Sequence, residues 1–504
     1  MRRTWLFLAA IVVAASAGPS AEADATPGSE EPQKKEASTM PAGNIVVYQA
    51  PEGAELSDDY LIKVNGAPVP VYRGKAYEQN YSPPFGGPYS FAYFDFSGSA
   101  EVEVESPRQW LRDVVIRPES KGVRPYPVPA NPNTLRGVMR FMLQAAPCQL
   151  SIEPDGKHGP LLLFANPIEA SSPSPGDAGV KYFGPGVHQA GAIELGDNET
   201  LYIAGGAVVK GGVHIKGRNV KILGRGILDG LGYERHKGPT RAPVDLDACE
   251  NVLVEGIIIK DSWGYNLWMR GGRNVTVRNV KIVAVRCMNN DGIDICNTRD
   301  VLVEDCFVRC EDDCIAIKGL GYAGNQAVDN VLVRRTVLWN DRAHVWRIGA
   351  ECRAEAFRNL TFKDIQVLHY MTSYGSGSGS GNSGDDLPTC ISLQPDEDMP
   401  IENVLFEDIQ INHEGQEWVI EVVPKVTPWA KKPTPGTIRN CVFRNVFVTG
   451  DLLGSCGRIR VHGPDAEHPV ENVLFENVVR HGRIARYDSP EVEISGHTKD
   501  ILFR

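Results

Sequence analysis

Asn289 to Gly319 reads NNDGIDICNTRDVLVEDCFVRCEDDCIAIKG, and among its aspartates are Asp291, Asp312 and Asp313, whose spacing suggests joint work. The short apolar runs Gly292 to Ile295 and Cys314 to Ile317 each follow directly on an aspartate. A third copy of the pattern, His344 to Gly349, puts a histidine in that place. Aligned on Ile295, Ile317 and Ile348, the residues Asp291, Asp313 and His344 share one register, with Asp312 one residue earlier. Stacked as rungs of a parallel β-structure roughly 4.8 Å apart, these strands would bring all four side chains to one patch of surface. Like charges a few ångströms apart do not all ionise easily, so one carboxyl keeps its proton and serves as an acid while the others act as bases. Cleavage of a glycosidic bond needs that division of labour.

Such convergence requires elements that repeat in register, and the chain supplies them. One phrase, an Asn or Asp followed by a short alternating strand, starts at Asn219, Asn251, Asn274, Asp300, Asn330, Asn359, Asn403, Asn440 and Asn472. The tightest spacings are 274 - 251 = 23 and 300 - 274 = 26 residues. Coils of this size, rich in Val and Ile, bury their apolar faces only by stacking on the next coil, which predicts a parallel β-helix. The turn that carries the aspartates holds Ser262-Trp263 one coil earlier and His369-Tyr370 later. This polar and aromatic column suits the C–H faces and hydroxyl rims of sugars, with Trp263 and Asn289 as substrate-binding candidates.

The rest of the chain frames that solenoid. Residues 1–23, with Met1-Arg2-Arg3, an apolar run from Trp5 to Ala17 and small residues after it, have the pattern of a secretory signal peptide, which predicts a secreted or periplasmic protein. Residues 24–43 lack large apolar side chains and are expected to be a disordered linker. Short alternating strands between turn residues follow, predicting a β-sandwich over 44–180 and the β-helix over 181–504. The all-β expectation is therefore a right-handed parallel β-helix preceded by a β-sandwich. Tyr374 opens a Gly/Ser-rich run that is either a flap beside the cleft or a tolerated surface insertion. A formal net charge of -11 without a basic block argues against nucleic acid or an anionic membrane as partner. The eleven cysteines form no CxxC pair and no zinc-like spacing, leaving buried thiols and disulfides both open. No cofactor and no metal is expected, and the expected partner is a polysaccharide; oligomeric state is not readable.

The wording NND-G-ID, then EDDCIAIKG, then AHVWRIG resembles the family 28 glycoside hydrolases, the polygalacturonase family, whose pattern is NTDGxD, DDCxAIKSG and GHGxSIG on a right-handed parallel β-helix. The resemblance covers roughly Glu199 to Arg486. It implies inverting hydrolysis with Asp312 as general acid, Asp291 and Asp313 positioning the water, and His344 supporting the cluster; Asn289 matches the Asn of NTD. Two departures stand out: His344 is flanked by Ala343 and Val345 with Trp346-Arg347 after them, and the Arg-Ile-Lys motif that grips a galacturonate carboxylate has no clear counterpart near Cys390 to Leu393. Lys318, Arg347 or Arg270 is the candidate replacement, Arg347 being equally able to pair with Asp294 across Ala316.

A sandwich ahead of a β-helix with three aspartates is also similar to the family 49 enzymes, dextranase and isopullulanase, which cleave neutral α-glucans. Two further readings remain: a pectate-lyase-like enzyme using the aspartates for calcium, and a non-catalytic carbohydrate-binding β-helix. For the hydrolase, the expected separation between acid and base carboxyls is about 6.5 to 9.5 Å, as in inverting sites.

Overall fold

All nine residues that open the repeated phrase have left-handed backbone, with φ between +53° and +58°. Asparagine and aspartate tolerate that conformation better than other side-chain-bearing residues, which is why the phrase begins as it does. Five residues later a second left-handed corner recurs, at Asn279, Asp305, Arg335, Asp364, Asp408, Asn445 and Asn477. The four residues between the corners must then be extended. Their amide side chains also stack: Asn251 donates to Asn219 at 3.0 Å, Asn274 to Asn251 at 2.6 Å, Asn440 to Asn403 at 3.1 Å and Asn472 to Asn440 at 2.8 Å.

The computed structural model describes residues 43–77, 87–108, 110–111, 113–126, 137–370, 389–414, 417–451 and 457–504. The expected signal peptide and the Gly/Ser run lie outside them, as does all but the last residue of the expected linker. Among the described residues, 28 strands from Val180–Phe183 to Thr498–Phe503 join one sheet network, paired in parallel from coil to coil. This is a right-handed parallel β-helix preceded by a β-sandwich. Inward residues form columns, as in Val252, Val275, Val301, Val331, Leu360 and Val404. A neighbouring column changes from Val333 to Phe362, and from there Phe362, Phe406, Phe443, Phe475 and Phe503 stack with centroids 4.5 to 5.3 Å apart.

The N-terminal strands run from Ile45 to Pro167 in a six-stranded and a four-stranded sheet with a shared core. Tyr89–Phe96, YSFAYFDF, is buried at every position because both of its faces are covered. Ala92, Phe94 and Phe96 enter the sandwich core, while Tyr89, Phe91 and Tyr93 join Val208, Ile258, Val283, Phe307 and Trp339 of the solenoid. Buried polar ties cross the same seam: Arg225 Nε lies 3.0 Å from both oxygens of Asp95, and Gln149 donates to the Asp305 carbonyl at 2.6 Å. Ala42 to Arg504 consequently forms one compact unit. The ten described cysteines are all buried free thiols, and eight of them, all but Cys287 and Cys296, pack in the solenoid or sandwich core as small apolar groups. None of the described helices is long and apolar enough to cross a membrane.

The left-handed corner yields a direct test. Asn251→Ala removes two side-chain hydrogen bonds and places a methyl group where the backbone disfavours one, so stability should fall by roughly 1–2 kcal/mol in a denaturant titration. Asn251→Gly loses the bonds without the backbone strain and should cost less. Equal losses would show that the ladder, rather than the corner, carries the effect.

Candidate active site

The coil-to-coil register found here is the one expected from sequence: Ile295 pairs with Ile317 and Ile317 with Ile348. Asp291 sits in the connection between Lys281–Ala284 and Ile293–Cys296, Asp312 and Asp313 in that between Phe307–Cys310 and Ile315–Leu320, and His344 in that between Val328–Asn340 and Trp346–Arg353. Backbone bonds tie the three corners, Gly292 N to Asp313 O at 2.8 Å and Cys314 N to His344 O at 3.0 Å. Gly292 is required by closeness: a Cβ there would stand 2.4 Å from the Cys314 carbonyl and 2.5 Å from Val308. Asn290 is buried and knits the corner to the preceding coil, donating to Ser262 Oγ at 2.7 Å and the Gly264 carbonyl at 2.8 Å. The outcome is a cleft lined by Asn289, Asp291, Asp312, Asp313, Lys318, His344 and Arg347, together with Tyr265, Ala350, Glu351 and Trp429.

The three aspartates each bring an oxygen within 4.8 Å of the other two, closer than the separation expected from sequence. The reason is that they share one corner on adjacent rungs instead of facing each other across a groove. Lys318, nearly buried, reaches into this group, with Nζ 2.7 Å from Asp291 and 3.1 Å from Asp294. Burial works against its charge, but Asp291 and Asp294 hold the ammonium protonated well above its usual range. One oxygen from each aspartate could meet on a cation, yet Lys318 already supplies positive charge there, 3.9 Å from Asp313 as well.

The carboxyls are not equivalent. Asp313 Oδ1 accepts from His344 N at 3.2 Å and lies 3.0 Å from His344 Nδ1. On the far side of the ring, Arg347 Nη1 is 3.0 Å from His344 Nε2. A guanidinium only donates, so Nε2 accepts and the ring proton sits on Nδ1, pointing at Asp313. Burial opposes the Asp313 charge, but the His344 hydrogen bond, with Lys318 and Arg347 nearby, brings its pKa down to about 2. Asp312 is the half-exposed member, and it moves the other way: loss of water around it and then the Asp313 charge raise it, against the pull of Lys318. Burial likewise raises Asp291, with Lys318 pulling down. One carboxylate held ionised beside two raised carboxyls can serve both halves of acid–base chemistry.

Comparisons with known proteins show what the chain is similar to. Residues 186–369 match the model of "Glycosyl hydrolases family 28". Over that stretch the chain is similar to family 28 of the glycosyl hydrolases. A probable polygalacturonase of Arabidopsis thaliana is 32% identical over 274 residues, 51% of this chain and 55% of that protein; another from the same plant is 26% identical over 203 residues, 34% of this chain and 44% of that protein. The chain thus spans about half or less of the length of these curated relatives. Among solved structures, Dex49A from Penicillium minioluteum matches with a TM-score of 0.62 at 17% identity over 90% of this chain and 96% of that chain, a likeness of fold.

Several candidates lie elsewhere than the family 28 wording and the turn pattern suggest. Trp263 is buried, its indole N–H donating to the Thr240 carbonyl at 3.1 Å and its ring edge-on to Tyr233. The aromatic of that turn facing the cleft is Tyr265, two residues later. Arg270 is held by Asp245 at 2.8 and 3.0 Å and does not line the cleft. Arg347 contacts His344 and Ser392 rather than Asp294, whose partner is Lys318. His369 lies against the sandwich, 3.0 Å from Glu153 and 4.3 Å from the Trp339 ring; the buried Tyr370 does not line the cleft either. Asn289 lines the cleft with its amide 3.5 Å from Asp312.

The buried acids around the cleft set a pH dependence. Burial, then the Asp312 charge, raises Glu311 to about 8, and burial raises Asp294 to about 7. Between about pH 4, where carboxyls of the unfolded chain ionise, and these values, the folded state binds more protons, so stability falls as pH rises through the window. Asp313 acts oppositely, its contribution being present above about pH 4 and lost as pH falls towards about 2. The melting temperature should therefore drop from pH 5 to pH 8, and Glu311→Gln should flatten that drop by roughly 2–4 °C. An unchanged slope in Glu311→Gln would rule out this source.

Proposed function

We propose that this protein is a glycoside hydrolase that cuts a pectic polysaccharide in the manner of the polygalacturonases, with inversion at the anomeric carbon. The observation that carries the reading is the unlike setting of adjacent carboxyls: Asp313 lies 3.0 Å from His344 Nδ1 and is held low, while Asp312 is partly exposed and raised. Asp312 protonates the leaving oxygen, and Asp313 with Asp291 orients the attacking water. His344, its tautomer set by Arg347, keeps Asp313 a base. The separation is shorter than in inverting sites built from two carboxyls. Here a third carboxyl shares the work, so water is held by a pair rather than by one distant base. The leader pattern of residues 1–23 supports action outside the cytoplasm, where such polymers are met.

The likeness of part of the chain to curated polygalacturonases favours a pectic substrate. A neutral α-glucan is the second reading, favoured by charge. Asp291, Asp294, Asp312, Asp313 and Glu351 surround Lys318 and Arg347, and Lys318 is committed to Asp291 and Asp294. That leaves a uronate anion without a lysine partner unless Arg347 grips it.

Four experiments test this. Reducing ends released from polygalacturonan, rhamnogalacturonan, dextran and pullulan identify the polymer, and Asp312→Asn should lower kcat roughly 100-fold or more with KM little changed. NMR of the first-formed product should show inverted configuration; retention, or a fully active Asp312→Asn enzyme, sinks the mechanism. Separately, if Arg347 holds a uronate carboxylate, methyl-esterified pectin should be cut much more slowly than the free acid, because the cation loses its partner. Equal rates would select the neutral glycan.

A further inference from the structure

We propose that Trp429 is a stacking platform for a glycosyl unit of the substrate chain, on the C-terminal side of the carboxyl group, a role that rests on the hydrolase reading. Trp429 belongs to the connection between Trp418–Val422 and Thr437–Asp451, two rungs beyond the strand Trp346–Arg353 that follows His344. That connection folds back so that the indole lines the cleft with Asp312 and His344. Its side chain is 42% exposed, one of the larger apolar surfaces left open to water among the described residues.

Such exposure would be unremarkable on a loose loop, but this one is fastened. Thr427 Oγ1 donates to the buried Asp396 at 2.5 Å and accepts from the Trp429 backbone N–H at 3.2 Å. Lys431 N donates to the buried Glu397 at 2.9 Å, and Ala430 N to the Thr427 carbonyl at 3.2 Å. Two buried carboxylates therefore hold the backbone on either side of an indole that is itself left uncovered. The Arg347 guanidinium lies 6.0 Å from the ring centroid, which places a donor-rich group next to the apolar face. Tyr265, with Lys318 Nζ 4.7 Å over its ring, lines the same cleft from an earlier rung. An apolar face fixed beside a donor fits a pyranose, whose C–H face packs on aromatics while its rim accepts hydrogen bonds. The chain occupying it would cross the carboxyls with the bond to be cut between Tyr265 and Trp429.

The test separates binding from turnover. In Asp312→Asn protein, tryptophan fluorescence is followed as trigalacturonate or isomaltotriose is added. One of the two sugars should shift the emission, and the Asp312→Asn/Trp429→Ala protein should lose the shift and bind that sugar about tenfold more weakly by calorimetry. Trp429→Phe, which keeps an aromatic face, should recover most of the affinity. In the active protein, Trp429→Ala should raise KM by about tenfold with little change in kcat, the signature of lost substrate binding. Equal binding with and without Trp429, or no binding of either sugar, overturns the proposal. A protein that binds through Trp429 yet releases no reducing ends from any polymer sinks the hydrolase reading and leaves the platform standing.

Discussion

The left-handed corner is the constraint on which this molecule depends. In a solenoid every coil must turn at the same place, or its inward and outward residues exchange faces, since a one-residue slip inverts a strand. Asparagine and aspartate at φ near +55°, hydrogen-bonded to their counterparts one coil away, hold that place. With the corners pinned, Asp291, Asp313 and His344 come together from positions 22 and 31 residues apart (313 - 291 = 22; 344 - 313 = 31). The chemistry of the cleft is thus a by-product of the periodicity of the scaffold.

Within the cleft, burial and charge are set against each other. Four buried or half-buried aspartates would repel one another without compensation, and one buried ammonium, Lys318, bridges two of them. Breaking such a pair by removing one partner costs about 3–5 kcal/mol, because a buried charge is left alone. The arrangement persists because it makes the carboxyls unlike. His344 and Arg347 add the second asymmetry from the next rung, keeping Asp313 charged beside a raised Asp312.

Periodicity was legible in the chain, and so were the β-helix and the convergence of Asp291, Asp312, Asp313, His344 and Asn289, because each follows from register, while the sandwich showed in alternating strands between turn residues. Pairings across rungs were less so. Lys318 looked like a substrate cation, but its outward position on the strand sets it against Asp294 of the neighbouring coil. At the Ser262 turn the indole of Trp263 and the ring of Tyr265 point opposite ways, which alternation cannot decide inside a corner. His369 ends a strand on the flank covered by the sandwich, and its partner Glu153 is 216 residues away. Trp429 had no repeat to announce it; only the long connection after Val422, with its prolines, marked a place where the chain leaves the coil.

The column that changes from Val333 to Phe362 also divides the solenoid into two gauges. Before it that column is filled by branched aliphatic side chains, after it by rings stacked almost face to face, with interplanar angles of 20°, 8°, 7° and 13°, while the columns beside it stay aliphatic. Interiors packed at crystal-like density do not absorb a change of that volume without rearrangement. Coils from one gauge are therefore poor grafts into the other, although their strands pair in one register. Lengthening the groove by duplication, in nature or by design, has to copy a coil beside its own kind, and the carboxyls stand on the narrow-gauge side of that boundary.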